Sequence, residues 1–160
     1  MSRQADLFTE QPIYCIDTSS LIALRQSYPS DLFQSIHSQF TELVRSGKIV
    51  VLDMVLDELK DRETDTFNFI KANTPKERLL KFEKYILTTQ KLIQTYYDGK
   101  RKSHSLKADP HIIACAKEEN LTVVTEELGS DDTKIPYICN KEQVNCINFI
   151  DLLRAENIKA

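Results

Sequence analysis

The sequence predicts an α/β protein with a three-layer α/β/α fold around a central, mostly parallel sheet of about four or five strands. Short apolar runs rich in β-branched residues alternate with longer amphipathic segments, and parallel strands require such helical crossovers between them. The chain has 160 residues, of which 41% are hydrophobic and 28% charged. This size and composition suit one globular domain, spanning residues 1–160, that buries a core of its own.

Apolar periodicity defines the elements of the first third of the chain. Between positions 33 and 44 apolar residues recur every three or four residues, as on one face of a helix, and Gly47 then provides a stop. The segment that follows is rich in β-branched residues, which favour strands. The predicted elements are a strand at Ile13–Ile16, helices at Ser19–Gln26 and Ser30–Ser46, and a strand at Lys48–Asp53.

A long stretch without strands follows, and we expect it to form a helical arm at about 53–98 beside the sheet. Asp53 can cap a helix that runs through "MVLDELKDRETDTFNFIKA". Thr74 and Pro75 offer a cap and a first-turn proline for a second, long helix, which would end at about Asp98, before Gly99.

The last third of the chain returns to alternating helices and strands. In "ADPHIIACAKEEN" an aspartate at the cap and a proline at the first position predict another helix. "LTVVT" predicts a third strand at Leu121–Thr125, and "VNCI" a fourth at Val144–Ile147. "NFIDLLRAEN" then predicts a closing helix.

Several classes of protein are excluded or disfavoured by composition. No apolar run approaches the roughly 18 residues that span a bilayer, so we expect no membrane association. The opening "MSRQADLFTEQP" lacks the apolar core of a signal peptide, which favours a cytoplasmic protein. Cys15 and Cys115 lie in apolar contexts typical of buried residues, whereas Cys139 and Cys146 could belong to a metal site. No CxxC and no neighbouring histidine supports that site, so reduced cysteines in a cytoplasm fit better.

Four segments each bring a carboxylate to one edge of the predicted sheet. Asp17 follows the first strand, Glu58 lies early in the helix after the second, Asp109 begins a helix, and Glu127 follows the third strand. The carboxyl ends of parallel strands meet at one edge, where open α/β sheets bind ligands. Glu58 also comes three and four residues after apolar residues, so it shares their inward face.

Each acid also has an ordinary structural explanation. Asp17 could open a turn, Asp109 could cap its helix, and Glu58 could lie on a solvated surface. Glu126 and Glu127 could be loop charges, although their position directly after a buried strand repeats the pattern of Asp17. The sequence favours a cluster because all of these segments converge on one edge.

Such a cluster requires cations or protonated carboxyl groups. Two like charges 4 Å apart cost about 1 kcal/mol in water and roughly 4 kcal/mol at an effective dielectric of 20. All-oxygen ligand sets suit Mg²⁺ or Mn²⁺, and these ions can promote phosphodiester hydrolysis. The hydroxyls of Thr18, Ser19 and Thr125 could hold metal-bound water or phosphate, while capping is an equal alternative for Thr18 and Ser20.

One basic segment, "GKRKSHSLK", could bind nucleic acid even though the formal net charge of the chain is −3. Its cations Lys100, Arg101, Lys102 and Lys107 lie directly before Asp109. A solvated charged loop is the alternative interpretation. Tyr96 and Tyr97 could stack bases, although aromatic residues in a helix more often serve packing.

The motifs "IDTSSLI", "VLDELK", "ADPHIIACA" and "TVVTEE" together resemble the acidic motifs of PIN-domain nucleases, and the resemblance covers nearly the whole chain in the right order. The ending "KIPYICNKEQVNCINFIDLLRAENI" is similar to a PIN-like branch of bacterial, archaeal and phage proteins. The resemblance implies a compact α/β/α fold and Mg²⁺- or Mn²⁺-dependent cleavage of RNA, usually single-stranded or loop RNA.

The resemblance also implies a set of site residues. The acid positions carry over to the catalytic and metal-binding residues Asp17, Glu58, Asp109 and Glu127, with Ser19 and Thr125 in support. Many PIN domains have aspartate where this chain has Glu127, so Glu126, Asp131 or Asp132 could take its place. Many relatives are toxins that resemble the VapC type, are dimeric and are blocked by an antitoxin-like partner protein, while others process RNA.

The expected mechanism is hydrolysis of RNA by an acidic metal site. Asp17, Glu58 and Asp109 would hold the principal ion, and Asp109 with Glu127 would help to place a second ion or the attacking water. A haloacid-dehalogenase-type phosphatase also begins with a strand ending in aspartate, but it needs a second acid where this chain has Ser19. A catalytically silent PIN-like module that binds metal or RNA is the remaining alternative.

Overall fold

The computed structural model describes residues 10–97, 108–128 and 131–160. In these ranges five parallel strands form one sheet, in the spatial order β3-β2-β1-β4-β5. The strands are β1 (Tyr14–Ile16), β2 (Ile49–Leu52), β3 (Leu79–Leu80), β4 (Thr122–Val124) and β5 (Cys146–Ile147). The predicted α/β class with a parallel sheet and helices on both faces is therefore confirmed.

Helices connect successive strands and cover the sheet. They are α1 (Thr18–Ser27), α2 (Gln34–Arg45), α3 (Asp53–Arg62), α4 (Thr64–Asn73), α5 (Ile86–Leu92), α6 (Asp109–Glu119), α7 (Ile135–Lys141) and α8 (Phe149–Ala155). Every residue of β1 and β2 is buried, as expected for parallel strands covered on both faces. No helix in the described ranges is long and apolar enough to cross a bilayer.

The central strand β1 has β2 on one side and β4 on the other. Tyr14 aligns with Ile49 of β2 and with Thr122 of β4. The alignment continues to the strand ends, where Ile16 lies beside Val124. Because the strands are parallel and in this register, the residues that follow β1 and β4 emerge side by side at the carboxyl edge of the sheet.

The prediction of one long helix from Thr74 to about Asp98 is wrong. Pro75 has extended backbone angles (φ −57°, ψ 143°) and precedes a short 3₁₀ turn rather than a long helix. The chain then adds the edge strand β3, whose two leucines pair with Val51 and Leu52. Asp53 accepts a hydrogen bond of 3.0 Å from the backbone N–H of Phe82 and so holds this excursion against β2.

The preceding helix also departs from its expected limits. It divides at Glu63, whose backbone is not helical (φ −146°, ψ 80°), into α3 and α4. Asp53 is the first helical residue of α3, and Leu52 occupies the cap position expected for Asp53. The short helix α7 was not predicted from the sequence. The described part of the expected arm, residues 53–97, is therefore a mixture of short helices and one edge strand.

Candidate functional site

Asp17 lies at the carboxyl edge of the sheet, directly after β1. Its backbone N–H donates a 2.8 Å hydrogen bond to the carbonyl of Val124, so the pairing with β4 extends one residue beyond the strand. The residue then occupies the N-cap position of α1 with an extended backbone (φ −85°, ψ 153°), but its side chain makes no capping hydrogen bond. Only 5% of Asp17 is exposed, which is unusual for an aspartate. A simple surface turn therefore does not explain this residue.

Two hydroxyl groups hold the Asp17 carboxylate. Ser19 Oγ donates to Asp17 Oδ2 at 2.7 Å, and Thr125 Oγ1 donates to the same oxygen at 2.8 Å. The hydroxyls in turn accept backbone N–H groups, from Glu126 at 3.0 Å for Ser19 and from Glu127 at 3.2 Å for Thr125. This network joins the ends of β1 and β4 and fixes the orientation of one carboxylate oxygen.

The environment of Asp17 disfavours its charge. Burial raises the pKa of Asp17, the negative charge of Glu127 raises it further, and the hydrogen bonds from Ser19 and Thr125 lower it only in part. Within residues 10–97, 108–128 and 131–160, no lysine or arginine forms an ion pair with Asp17. A bound cation would relieve this energetic cost.

Glu58 is connected to the same edge through Thr18. The Thr18 hydroxyl donates a 2.8 Å hydrogen bond to Glu58 Oε1 across the contact between α1 and α3. Thr18 is 3% exposed and directly follows Asp17. Glu58 is half-buried, whereas the neighbouring Asp57 is exposed, so the assignment of Glu58 to the inward face agrees with the structure. The hydrogen bond itself was not predicted from the sequence, since no spacing rule links residues 18 and 58.

Asp109 lies in the first turn of α6 rather than at its cap. Ala108 occupies the cap position and Asp109 is the first helical residue, so the expected helix start is wrong by one residue. Because α6 precedes the parallel strand β4, the start of this helix lies at the carboxyl edge of the sheet. An acid in a first turn is stabilised by the helix dipole, which remains its ordinary structural explanation.

Glu126 and Glu127 each hold the start of a helix. Glu126 Oε2 accepts the backbone N–H of Phe149, the first residue of α8, at 2.7 Å. Glu127 Oε2 accepts the N–H of Ile135, the first residue of α7, at 2.8 Å, and Lys134 Nζ lies 3.8 Å from Glu127 Oε1. Of these two acids, the charge of Glu127 contributes to the raised pKa of Asp17.

Asp131, one of the substitutes considered for Glu127, also has a structural role. Asp131 Oδ1 accepts hydrogen bonds from the backbone N–H and the hydroxyl of Thr133, at 2.8 and 2.7 Å. This is a local turn that organises the approach to α7.

The donor chemistry at this edge suits a hard divalent cation, since it offers carboxylate and hydroxyl oxygens. The described residues nevertheless contain no group of three or more His, Cys, Asp or Glu side chains arranged to hold a metal ion. The expected cluster of four carboxylates is thus not assembled as a ligand set in this conformation. Asp17 and Glu127 interact electrostatically, and Glu58 accepts a hydrogen bond from Thr18, the residue that follows Asp17.

Of the residues expected to contact nucleic acid, the structure describes the two tyrosines but not the basic residues. The basic residues Lys100, Arg101, Lys102 and Lys107 lie outside the described residues. Tyr97 is 1% exposed, and the Tyr96 hydroxyl donates to Glu142 at 2.5 Å. Both tyrosines therefore pack within the protein, in agreement with the structural interpretation rather than with base stacking.

The fold and the site together define a class of protein. It has an α/β/α fold with a parallel sheet, and a buried acid held by hydroxyl groups lies at the carboxyl edge of that sheet. Residues 14–160 match the family described as "Domain of unknown function (DUF4411)", and the chain belongs to this family. The fold is similar to the crystal structure of PAE2754 from Pyrobaculum aerophilum, with a TM-score of 0.56 and 12% identity over 95% of this chain and 94% of that one. A comparison with curated proteins finds no match.

Proposed function

We propose that this protein is a Mg²⁺- or Mn²⁺-dependent endoribonuclease of the PIN type. The observation that carries the proposal is the buried Asp17 carboxylate, held by two hydroxyls at the carboxyl edge of a parallel sheet and without a cationic partner among the described residues. Placing a carboxylate there lowers stability. A role in binding a cation accounts for that arrangement better than a structural role does.

Asp17, Glu58, Asp109 and Glu127 are the residues that would hold the ion. When bound, a divalent ion activates water and stabilises charge on a phosphodiester. Ser19 and Thr125 act by keeping one oxygen of Asp17 saturated and oriented, so that its other oxygen is the one directed to a ligand. Thr18 does the same for Glu58. To bind the ion, the carboxylates of Glu58 and Glu127 must either give up the hydrogen bonds that they now accept or keep those bonds while they also contact the ion.

The substrate side of the proposal rests on charge. Phosphate contacts require cations, and the sequence concentrates Lys100, Arg101, Lys102 and Lys107 immediately before Asp109. RNA bound along this segment would pass directly beside the acidic edge. A toxin role, an antitoxin-like protein partner and a homodimer follow from the PIN resemblance and belong to the same proposal.

The decisive experiment compares cleavage of structured and unstructured RNAs in Mg²⁺, Mn²⁺ or EDTA by the wild type, Asp109→Asn and Asp57→Asn. The exposed Asp57 provides a matched control on the surface of α3. We expect metal-dependent cleavage by the wild type and Asp57→Asn, and a loss of at least about 100-fold in a folded Asp109→Asn, since ligand loss exceeds the usual effect of outer-shell changes. Equal cleavage by all three proteins would overturn the assignment.

A catalytically silent binding module is the second candidate. It is favoured by the present engagement of the carboxylates, because Glu58 accepts from Thr18 and Glu127 accepts from Ile135. Calorimetry with Mn²⁺ distinguishes the two functions: binding of Mn²⁺ that Asp17→Asn abolishes, without cleavage of any RNA in the panel, would support the module and contradict the nuclease.

A further inference from the structure

Lys134 is a cation that the structure places beside one of the candidate site acids. Its Nζ lies 3.8 Å from Glu127 Oε1, and its side chain is 37% exposed. Other described lysines pair with acids outside the candidate site: Lys48 with Glu156, Lys84 with Glu119, and Lys117 with Glu142. Lys134 therefore combines contact with a site acid and access to a ligand in solution.

The main chain around Lys134 fixes where its side chain begins. The backbone N–H of Lys134 donates a 3.0 Å hydrogen bond to the carbonyl of Asp131. The Asp131 side chain closes the same turn, since it accepts from the N–H and the hydroxyl of Thr133 at 2.8 and 2.7 Å. Lys134 then occupies the N-cap position of α7. Because α7 precedes the parallel strand β5, this turn lies at the carboxyl edge of the sheet.

The ion pair with Lys134 is not needed to hold Glu127 in place. Glu127 Oε2 already accepts the N–H of Ile135 at 2.8 Å. The pair with Lys134 is longer, and both of its side chains are partly exposed. Ion pairs of this kind contribute little to stability, because water competes for both charges. A structural role alone therefore does not explain why a lysine stands at this position.

The charge of the candidate site gives a lysine a functional reason to be there. A phosphate that approaches Asp17 and Glu127 is repelled by their negative charges. A neighbouring ammonium group offsets this repulsion and donates charge-assisted hydrogen bonds to phosphate oxygens. The flexible stem of lysine also allows the ammonium group to change partners without movement of the main chain.

We propose that Lys134 is a phosphate-binding residue, whose ammonium group exchanges Glu127 for a phosphate of single-stranded RNA. This inference rests on the proposed function, because it takes RNA as the substrate. Without RNA, Lys134 neutralises part of the charge of Glu127. When RNA binds, the ammonium group contacts a phosphate oxygen and Glu127 Oε1 is released from its ion pair, while Glu127 Oε2 keeps the N–H of Ile135.

Fluorescence anisotropy with a labelled oligouridine in EDTA tests the proposal on the full chain, without cleavage. We expect Lys134→Ala to bind more weakly than the wild type and to reduce the salt slope by about 0.7, the value for one phosphate contact in a single strand. The ratio of the two binding constants should then grow about five-fold per decade of decreasing salt. Lys134→Arg keeps the charge and should remain close to the wild type.

Lys141→Ala is the matched control. Lys141 is the last residue of α7 and is exposed, so its replacement removes the same charge from the other end of the same helix. We expect Lys141→Ala to bind oligouridine with the affinity and the salt slope of the wild type. A loss that depended on net charge alone would be equal in Lys134→Ala and Lys141→Ala.

A double-mutant cycle with Glu127→Gln measures the exchange of partners. In EDTA, Glu127→Gln should strengthen oligouridine binding, because it releases Lys134 and also removes a negative charge. In the Lys134→Ala background the gain should be smaller, since only the second effect remains. Equal gains in the two backgrounds would show that Lys134 does not exchange Glu127 for RNA.

Three further results would overturn the proposal: wild-type affinity and salt slope in Lys134→Ala, equal losses in Lys134→Ala and Lys141→Ala, or no oligouridine binding by the wild type. Circular dichroism establishes that each variant is folded. Lys134→Met, which keeps an apolar stem, replaces Lys134→Ala if the alanine variant fails to fold.

Cleavage of RNA in Mn²⁺, measured separately on the same proteins, distinguishes this inference from the proposed function. If binding depends on Lys134 but no metal supports cleavage, the phosphate contact stands and the nuclease function fails. If the wild type cleaves RNA and Lys134→Ala binds oligouridine as the wild type does, the nuclease function stands and the phosphate contact fails.

Discussion

The Thr125 hydroxyl donates a 2.8 Å hydrogen bond to Asp17 Oδ2 and thereby joins the residues that follow two neighbouring parallel strands. Thr125 is 2% exposed and Asp17 is 5% exposed, so water cannot replace the bond at low cost. The same hydroxyl accepts the N–H of Glu127. A single threonine thus orients the first and the last acid of the candidate site.

Removal of this hydroxyl should destabilise the fold. In Thr125→Val the carboxylate of Asp17 loses a donor that it cannot replace, which should lower the free energy of unfolding by about 1.5–3 kcal/mol. Urea denaturation at neutral pH measures the loss. Thr122→Val on the same strand is the matched control, because the Thr122 hydroxyl makes no hydrogen bond to another described residue. Equal losses in the two variants would contradict a special role for Thr125.

The raised pKa of Asp17 predicts a specific pH dependence of stability. Because the folded state holds the Asp17 proton more tightly than the unfolded state, the contribution of Asp17 to stability is highest below the unfolded pKa near 3.8 and is lost as pH rises through the raised, folded pKa. Asp17→Asn removes this pH-dependent contribution, and the amide oxygen of asparagine can still accept the hydrogen bonds from the two hydroxyls. The metal-free variant should therefore be more stable than the wild type at neutral pH.

The difference between Asp17→Asn and the wild type should shrink as the pH falls through the raised pKa of Asp17 towards about 4, because below that pH the wild-type carboxyl is protonated in both states. Thermal unfolding of both proteins in EDTA across a range of pH tests this. A variant that is less stable than the wild type at every pH would show that the Asp17 charge contributes to the fold. In that case the burial of Asp17 would no longer favour a cation site.

The strands at the centre of the fold were predictable because burial on both faces gives continuous apolar, β-branched runs. "YCI", "IVVL" and "TVV" are all of this kind. Strand β3 was missed since two leucines carry no periodicity, and its pairing with Val51 and Leu52 depends on the rest of the sheet. The break at Glu63 is likewise invisible to a helical pattern that continues on both sides.

The candidate site shows the same division. Sequence reasoning placed Asp17 and Glu127 at the same edge of the sheet, because each follows a buried strand and parallel strands end at one edge. That their two strands are neighbours depends on the order of strands in the sheet, which was not predicted. It gave Asp109 a cap position that Ala108 holds instead, since helix starts are uncertain by a residue or more. It could not find the bond between Thr18 and Glu58, which depends on how two helices pack.

Thr18 should act as a positioning residue for Glu58. Thr18→Val removes the donor at 2.8 Å from Glu58 Oε1, and by analogy with outer-shell changes we expect Mn²⁺ affinity or cleavage rate to fall about 10–100-fold. Thr18→Ser keeps the hydroxyl and should restore most of the lost affinity. Calorimetric titration with Mn²⁺ provides a readout that does not require the RNA substrate. Loss of affinity in both variants would indicate that Thr18 matters only for packing.

The basic segment should control the salt dependence of RNA binding. If Lys100, Arg101, Lys102 and Lys107 contact phosphates of single-stranded RNA, the binding constant should fall by about 0.7 decades per decade of salt for each contact. Alanine replacement of one such residue should reduce the slope by about 0.7. Fluorescence anisotropy at several salt concentrations, in EDTA to prevent cleavage, measures it. A slope unchanged in all four single variants would remove the segment from the binding site.

Glu126 and Glu127 form a natural matched pair for a test of the last acid. Each accepts the first N–H of a helix, Glu126 from Phe149 and Glu127 from Ile135. Glutamine keeps an acceptor at both positions, so Glu126→Gln and Glu127→Gln should have similar, small effects on thermal stability. The two acids differ in their relation to Asp17, because only the charge of Glu127 is among the causes of its raised pKa.

Glu126→Gln and Glu127→Gln should therefore differ in Mn²⁺ binding and RNA cleavage, although they have similar stability. We expect Glu127→Gln to weaken Mn²⁺ binding and RNA cleavage strongly, at least about 10-fold, and Glu126→Gln to leave both near the wild-type level. Loss of Mn²⁺ binding in Glu126→Gln alone would mean that Glu126, not Glu127, is the last ligand of the site. Wild-type Mn²⁺ binding by both variants would mean that neither glutamate is a ligand. Their only role would then be to accept the first N–H groups of α7 and α8.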